Sequence, residues 1–227
     1  GHLGMGRIHS LRGEHRAAVS AFEKARALFK ELPRGHLALA EAHAAQQHWV
    51  EALAALEPFL AAEPTDPRGL ALRAEALLHA NRHREAEEAF THLLTVDPNP
   101  DAHLALACLA DARGAQDEVL THCRAARRLR GEDPRIFFLE GKIHMHRGNS
   151  AEAEARFLEA LRRAPGTPEI YENLAALAFS RGDVARALTY VQSLLAVVPN
   201  HPVAARAIPA LQAGDPQTAT VAQAAAI

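Results

Sequence analysis

The chain has 227 residues, a formal net charge of −2, and 48% hydrophobic, 23% charged and only 5% aromatic residues. That is enough apolar material for a core, and an Ala- and Leu-rich, aromatic-poor composition favours helices over sheets. The charge balance lacks the basic excess of a nucleic-acid binder, and no run of about 18 apolar residues is present to insert into a membrane.

Taken in order, the chain reads as six helical hairpins. Residues 1–33 give a first helix over 1–11, a turn at Gly13 and a second helix over 15–30, closed by Pro33. Residues 34–66 give helices over 34–46 and 49–62 around Gln47, with Pro58 inside the second and expected to kink it. Residues 67–99 give 67–79 and 83–96 around Asn81, closed by Pro98. Residues 100–134 give 100–112 and 116–128 around Gly114 and close late, with Gly131 and then Pro134. Residues 135–167 give 135–147 and 151–163, with Gly148 as helix stop and Ser150 as cap. Residues 168–200 give 168–180 and 184–197 around Gly182. Residues 201–212 read as one more apolar helix, broken by Pro209, that caps the stack, and 213–227 as a small, polar, disordered tail. Residue 1 falls inside a helix, as in a piece of a longer protein, and Gly1-His2 reads as a cloning remnant.

The hairpins share a register. A small anchor recurs at Ala18, Ala52, Ala86, Val119, Ala153 and Ala187, in steps of 34, 34, 33, 34 and 34 residues. Four residues on stand Phe22, Leu56, Phe90, Cys123, Phe157 and Val191, and seven on Ala25, Phe59, Leu93, Ala126, Ala160 and Leu194. These offsets lie on one helical face. The first helices carry their own small positions at Gly6, Ala40, Ala74, Ala107, Gly141 and Ala175.

This pattern resembles the tetratricopeptide repeat family, from Gly1 to about Asn200. The departures are local: the large aromatic near the start of the first helix survives as Phe137 and Tyr171 but is His2, His36, Leu70 and His103 elsewhere, and Val119 replaces the anchor alanine. The resemblance implies an all-α, right-handed superhelical solenoid over residues 1–212, with first helices lining a concave side.

Motifs for chemistry are missing. His79 and His83 have metal-pair spacing but straddle the turn at Asn81, and His144 and His146 point to different faces. No Cys-x-x-Cys, His-Glu-x-x-His, phosphate loop or Gly-x-Ser-x-Gly occurs. No catalytic residue, metal site or cofactor is expected. Cys108 is placed on the concave side and Cys123 in the core, both as free thiols. Free thiols accord with the cytoplasm; a periplasmic setting stays open, since no leader of the usual form opens the sequence but one could have been removed.

Ligand-facing positions carried over from the family give Arg7, Glu41, Glu75, Leu78 and Asp111 in the amino half and Phe138, Lys142, Met145 and Phe179 in the carboxyl half. The expectation is an acidic half facing a basic part of a partner, followed by an exposed Phe-Met-Phe cluster taking apolar anchors. Positions of the family's clamp for chaperone C-termini read Leu3, Arg7, Ala38, Arg68 and Leu72 and do not match it. The implied function is a scaffold or adaptor that binds a protein or peptide without catalysis. The alternative is the recognition domain of a larger enzyme, such as a glycosyltransferase or sulfotransferase. Self-association through the solenoid ends is a third route.

Overall fold

The computed structural model describes residues 2–28, 33–202, 204–205 and 207–208. Among them are twelve helices and no strand: α1 His2–Leu11, α2 His15–Leu28, α3 Pro33–Ala44, α4 Trp49–Ala62, α5 Pro67–His79, α6 His83–Val96, α7 Pro100–Ala112, α8 Gln116–Arg130, α9 Pro134–His146, α10 Ser150–Arg163, α11 Pro168–Ser180 and α12 Val184–Val197. The fold class is all-α, as expected. The expected tail at 213–227 and the end of the cap at 209–212 lie outside the described residues, as do residues 29 and 30 of the second helix.

The chain forms two compact units, Gly1–Arg113 and Gly114–Ile227. In the first, α1 packs on α2, α3 on α4 and α5 on α6; α2, α4 and α6 also pack on the helix that follows each. The first helices adjoin directly, α1 with α3 and α3 with α5. In the second unit α9 pairs with α10, α11 pairs with α12, and α9 also meets α11. Each unit therefore presents a row of first helices on one side.

Periodicity explains the core. All eighteen anchor-face residues are buried, from Ala18, Ala52, Ala86, Val119 and Ala153 at 0% exposure to Val191 at 6%. Removing such surfaces from water is the main force holding hairpin to hairpin, at about 25 cal/mol per Å² of apolar area. The small first-helix positions let a partner helix approach. A methyl group on Gly6 would overlap the ring of Phe22, and one on Gly141 would sit 2.6 Å from ring carbons of Phe157.

The turns follow their sequence signals. Gln47 and Asn81 take φ of 60° and 58°, the left-handed region that the other four turns fill with glycine. Those turns are held by helix-terminal bonds such as Asn81 N to Leu78 O at 3.0 Å.

Three local expectations need correction. Pro33 and Pro134 open α3 and α9 rather than closing the preceding unit. A proline at the first helical position gives up no bond, since that N–H has no intrahelical partner. Asp66, Asn99 and Asp133 stand before such prolines and accept from Gly69 N, Ala102 N and Arg135 N. Ser150 is the first residue of α10 rather than its cap; Asn149 holds the cap position, with no side-chain cap bond. The extra length of the fourth repeat is helical, because α8 runs on to Arg130 before Gly131 turns at φ 84°.

Residues following α12 supply the expected cap. Ala204, Ala207 and Ile208 pack on Ala175, Ala178, Ala187, Val191 and Leu194. His201 fastens the start of this segment: its Nδ1 accepts from Ala204 N at 3.3 Å, and its Nε2 lies 2.9 Å from Glu172 Oε1 on α11.

Candidate functional site

The row of first helices in the amino-terminal unit carries a groove of about 920 Å³. Arg7, Ser10 and Leu11 of α1 form one wall and Arg34, Leu37, Ala38 and Glu41 of α3 the other, with Asp66 and Arg68 at the start of α5. Phe22, Phe59, Pro33 and Glu63 complete it. The α3 residues recur at i, i+3, i+4 and i+7, which is why one helical face lines the space.

Of the sequence-predicted positions, the groove brings together Arg7 and Glu41. Its charge differs from the expected acidic surface. Glu41 accepts from Arg68 Nη2 at 2.6 Å, so its carboxylate already has a cation, and three guanidiniums line the space. Arg34 lies one turn before the family's ligand-facing positions on α3, and Arg68 outside those of α5, so the family offsets select neither.

Glu75 is exposed on α5, near His79 and Asp101. Partial removal from water raises its carboxyl above the ordinary range; His79 opposes this and Asp101 adds to it. His79 also stacks on Trp49, with ring centroids 4.4 Å apart and planes at 13°. Leu78 is half-buried against the α5–α7 core, and Asp111 is half-buried on α7. A carboxyl raised in the fold above its unfolded value of 4.5 favours folding while protonated. That contribution is fully present below the unfolded value and is lost as pH rises through the folded one. Glu75→Gln should therefore raise the melting temperature at pH 7, with the gain shrinking toward pH 4. Thermal unfolding at the two pH values checks this.

In the carboxyl-terminal unit, Phe138, Met145 and Phe179 are half-buried rather than exposed. Phe138 and Met145 lean on the core of Phe157, Ile170 and Leu174, with the Phe138 ring centroid 5.9 Å from that of Phe157. Phe179 packs instead on the core shared by α11, α12 and the cap. Each leaves an edge accessible, and Lys142, half-buried, stands on α9 between Phe138 and Met145 in sequence. The family offsets select the right face, but a residue's depth on it is set by the neighbouring helix. Cys108 is exposed and Cys123 buried, and neither is in a disulfide. Among the described residues no group of three or more His, Cys, Asp or Glu is placed to hold a metal ion, and no helix is long and apolar enough to cross a membrane.

Repeated helix pairs with small crossing residues and left-handed turns define a helical-repeat protein. Two family models, both of the tetratricopeptide repeat, match residues 11–76 and 49–109 and residues 138–205. Together they span more than half of the chain, which belongs to the tetratricopeptide repeat family. No curated protein matches the sequence. Among solved structures the chain is similar to Pseudomonas aeruginosa PilF, at 16% identity and a TM-score of 0.74, covering 94% of this chain and 96% of that one. It is also similar to PilW, a widely conserved type IV pilus biogenesis factor, at 19% identity and a TM-score of 0.68, covering 86% and 91%. A third is YrrB, a tetratricopeptide repeat protein with an unusual peptide-binding site, at 20% identity and a TM-score of 0.60, covering 84% and 98%.

Proposed function

We propose that the chain is a non-catalytic protein-binding module that holds an extended peptide or protein segment against its first-helix faces. The groove of about 920 Å³ between α1, α3 and the start of α5 carries this reading. It is concave and large enough for several side chains, and it is lined by both charged and apolar groups, as recognition surfaces usually are. A second contact area, within the carboxyl-terminal unit, is assigned to the accessible edges of Phe138, Met145 and Phe179 around Lys142; within the amino-terminal unit Glu75, Leu78 and Asp111 are further contact positions. Tetratricopeptide repeats serve generally as interaction scaffolds, and the peptide-binding site named for YrrB supports this use of the fold.

Selection of displayed random peptides on the wild-type protein tests the reading. Ala38 is half-buried in the groove wall, beside the core of Phe22, Leu37 and Phe59, and Ala38→Trp puts a large ring into the space; circular dichroism checks that the variant stays helical. Selected peptides should lose about tenfold or more in affinity on Ala38→Trp or on Lys142→Glu, the scale of an interface hot spot. If peptides bind with the same affinity to wild type and both variants, these faces are not the binding surface.

A further inference from the structure

We propose that the amino-terminal groove takes an acidic–apolar segment of a partner protein, one apolar side chain flanked by Asp or Glu. This rests on the reading of that groove as a peptide site and reverses the charge that the sequence alone suggests. The lining holds three arginines and three carboxylates, so its formal charges balance, but they are not equally available. Arg68 and Glu41 satisfy each other at 2.6 Å. Asp66 is committed to the α5 N-terminus, where it accepts from Gly69 N at 2.9 Å. Arg7 and Arg34, both exposed, have no ion-pair or hydrogen-bond partner among the described residues, against Glu63 as the one carboxylate in the same condition. The available charge is thus two guanidiniums to one carboxylate.

Guanidiniums present planar, two-pronged donors that match carboxylates. The same lining offers apolar surface: Leu11 is 89% exposed on the α1 wall, and Ala38 and Pro33 are half-buried. A basic segment would meet two unpaired arginines and find Glu41 occupied. An acidic segment with an adjacent Leu or Phe would pair with Arg7 and Arg34 and cover Leu11.

The test uses three fluorescein-labelled twelve-residue peptides with the same central Leu-x-x-Phe, flanked by Glu, by Lys or by Ser. Fluorescence anisotropy is read against wild type, Arg7→Glu/Arg34→Glu and Ala38→Trp, with circular dichroism confirming that each variant is helical. The Glu peptide should bind wild type at least about tenfold tighter than the Lys peptide, weaken at high salt, and lose that advantage on the charge-reversed variant. The proposal is overturned, and the groove reading kept, if the Ser or Lys peptide binds equally well, ignores the arginine reversal and is lost on Ala38→Trp. Both fail if no peptide binds, or if Ala38→Trp changes none of the affinities.

Discussion

Replacing Phe157 by alanine is expected to cost the carboxyl-terminal unit about 3–5 kcal/mol, the range for removing a fully buried aromatic side chain and leaving a cavity. The side chain is 0% exposed. It joins three helices: it stands on α10, its ring faces Gly141 on α9, and it shares a core with Ile170, Leu174 and Leu177 of α11. Gly141 has no side chain, and Phe138 is held 5.9 Å away at a tilt of 49°. A loss of this size is a large part of the roughly 5–15 kcal/mol that holds a typical domain folded. It should appear as lost hydrogen-exchange protection in α9, α10 and α11, with a lower urea midpoint. Leu158→Ala is the matched control. It alters the next residue, which is 43% exposed, and a surface substitution of this kind usually shifts stability by about 0.5 kcal/mol or less. Equal effects from the two substitutions would contradict the assignment of the core face.

The contrast between these neighbours shows what the sequence carries clearly. A repeat of 34 residues writes each core position several times, so a single ambiguous site such as Val119 or Cys123 is read from its counterparts, and both are buried where the register places them. Turn geometry is as legible, because few residues tolerate positive φ: Asn81 and even Gln47 adopt it where glycine stands in the other turns. The binding surface is written only once per helix and depends on what crosses from the next one. Glu41 looks like an available acid on α3 until Arg68, twenty-seven residues later, is seen to reach it. Phe138 and Met145 sit on the predicted face, yet α10 and α11 draw them partly into the core. A helix turns about 100° per residue, so positions at the edge of a face are divided between core and solvent by packing that no single repeat encodes. The histidines behave similarly. His201 looks like one of fourteen unassigned imidazoles, and its role in tying the cap to Glu172 appears only when the two elements meet.

The second large effect is a reversal of sign at Gly141. Alone, Gly141→Ala should destabilise the protein, by up to about 2 kcal/mol. Helix propensity favours alanine over glycine by about 1 kcal/mol, and α9 is a regular helix on both sides of the site. The added Cβ, however, falls 2.6 Å from Cδ1 and Cε1 of Phe157 and 3.1 Å from Cζ. The ring is fully enclosed and has no free direction in which to yield, and overpacking a rigid core costs about 1–3 kcal/mol. In the Phe157→Ala background the opposing ring is gone and part of the new cavity lies beside the added methyl. There the same Gly141→Ala substitution should stabilise, by about 1 kcal/mol from propensity alone. A double-mutant cycle in urea should thus give a coupling of about 1–3 kcal/mol between residues on facing helices. Gly4→Ala on α1 supplies the reference, since a Cβ there meets nothing within 4 Å and only the propensity gain applies. If Gly141→Ala costs the same with and without the Phe157 ring, the penalty belongs to the backbone of α9, and the glycine–aromatic contact does not set how closely α9 and α10 approach. A change of sign between the two backgrounds would locate that control in the one pair, and the same logic then applies to Gly6 and Phe22 in the first hairpin, where an added Cβ meets the same three ring atoms, Cδ1, Cε1 and Cζ.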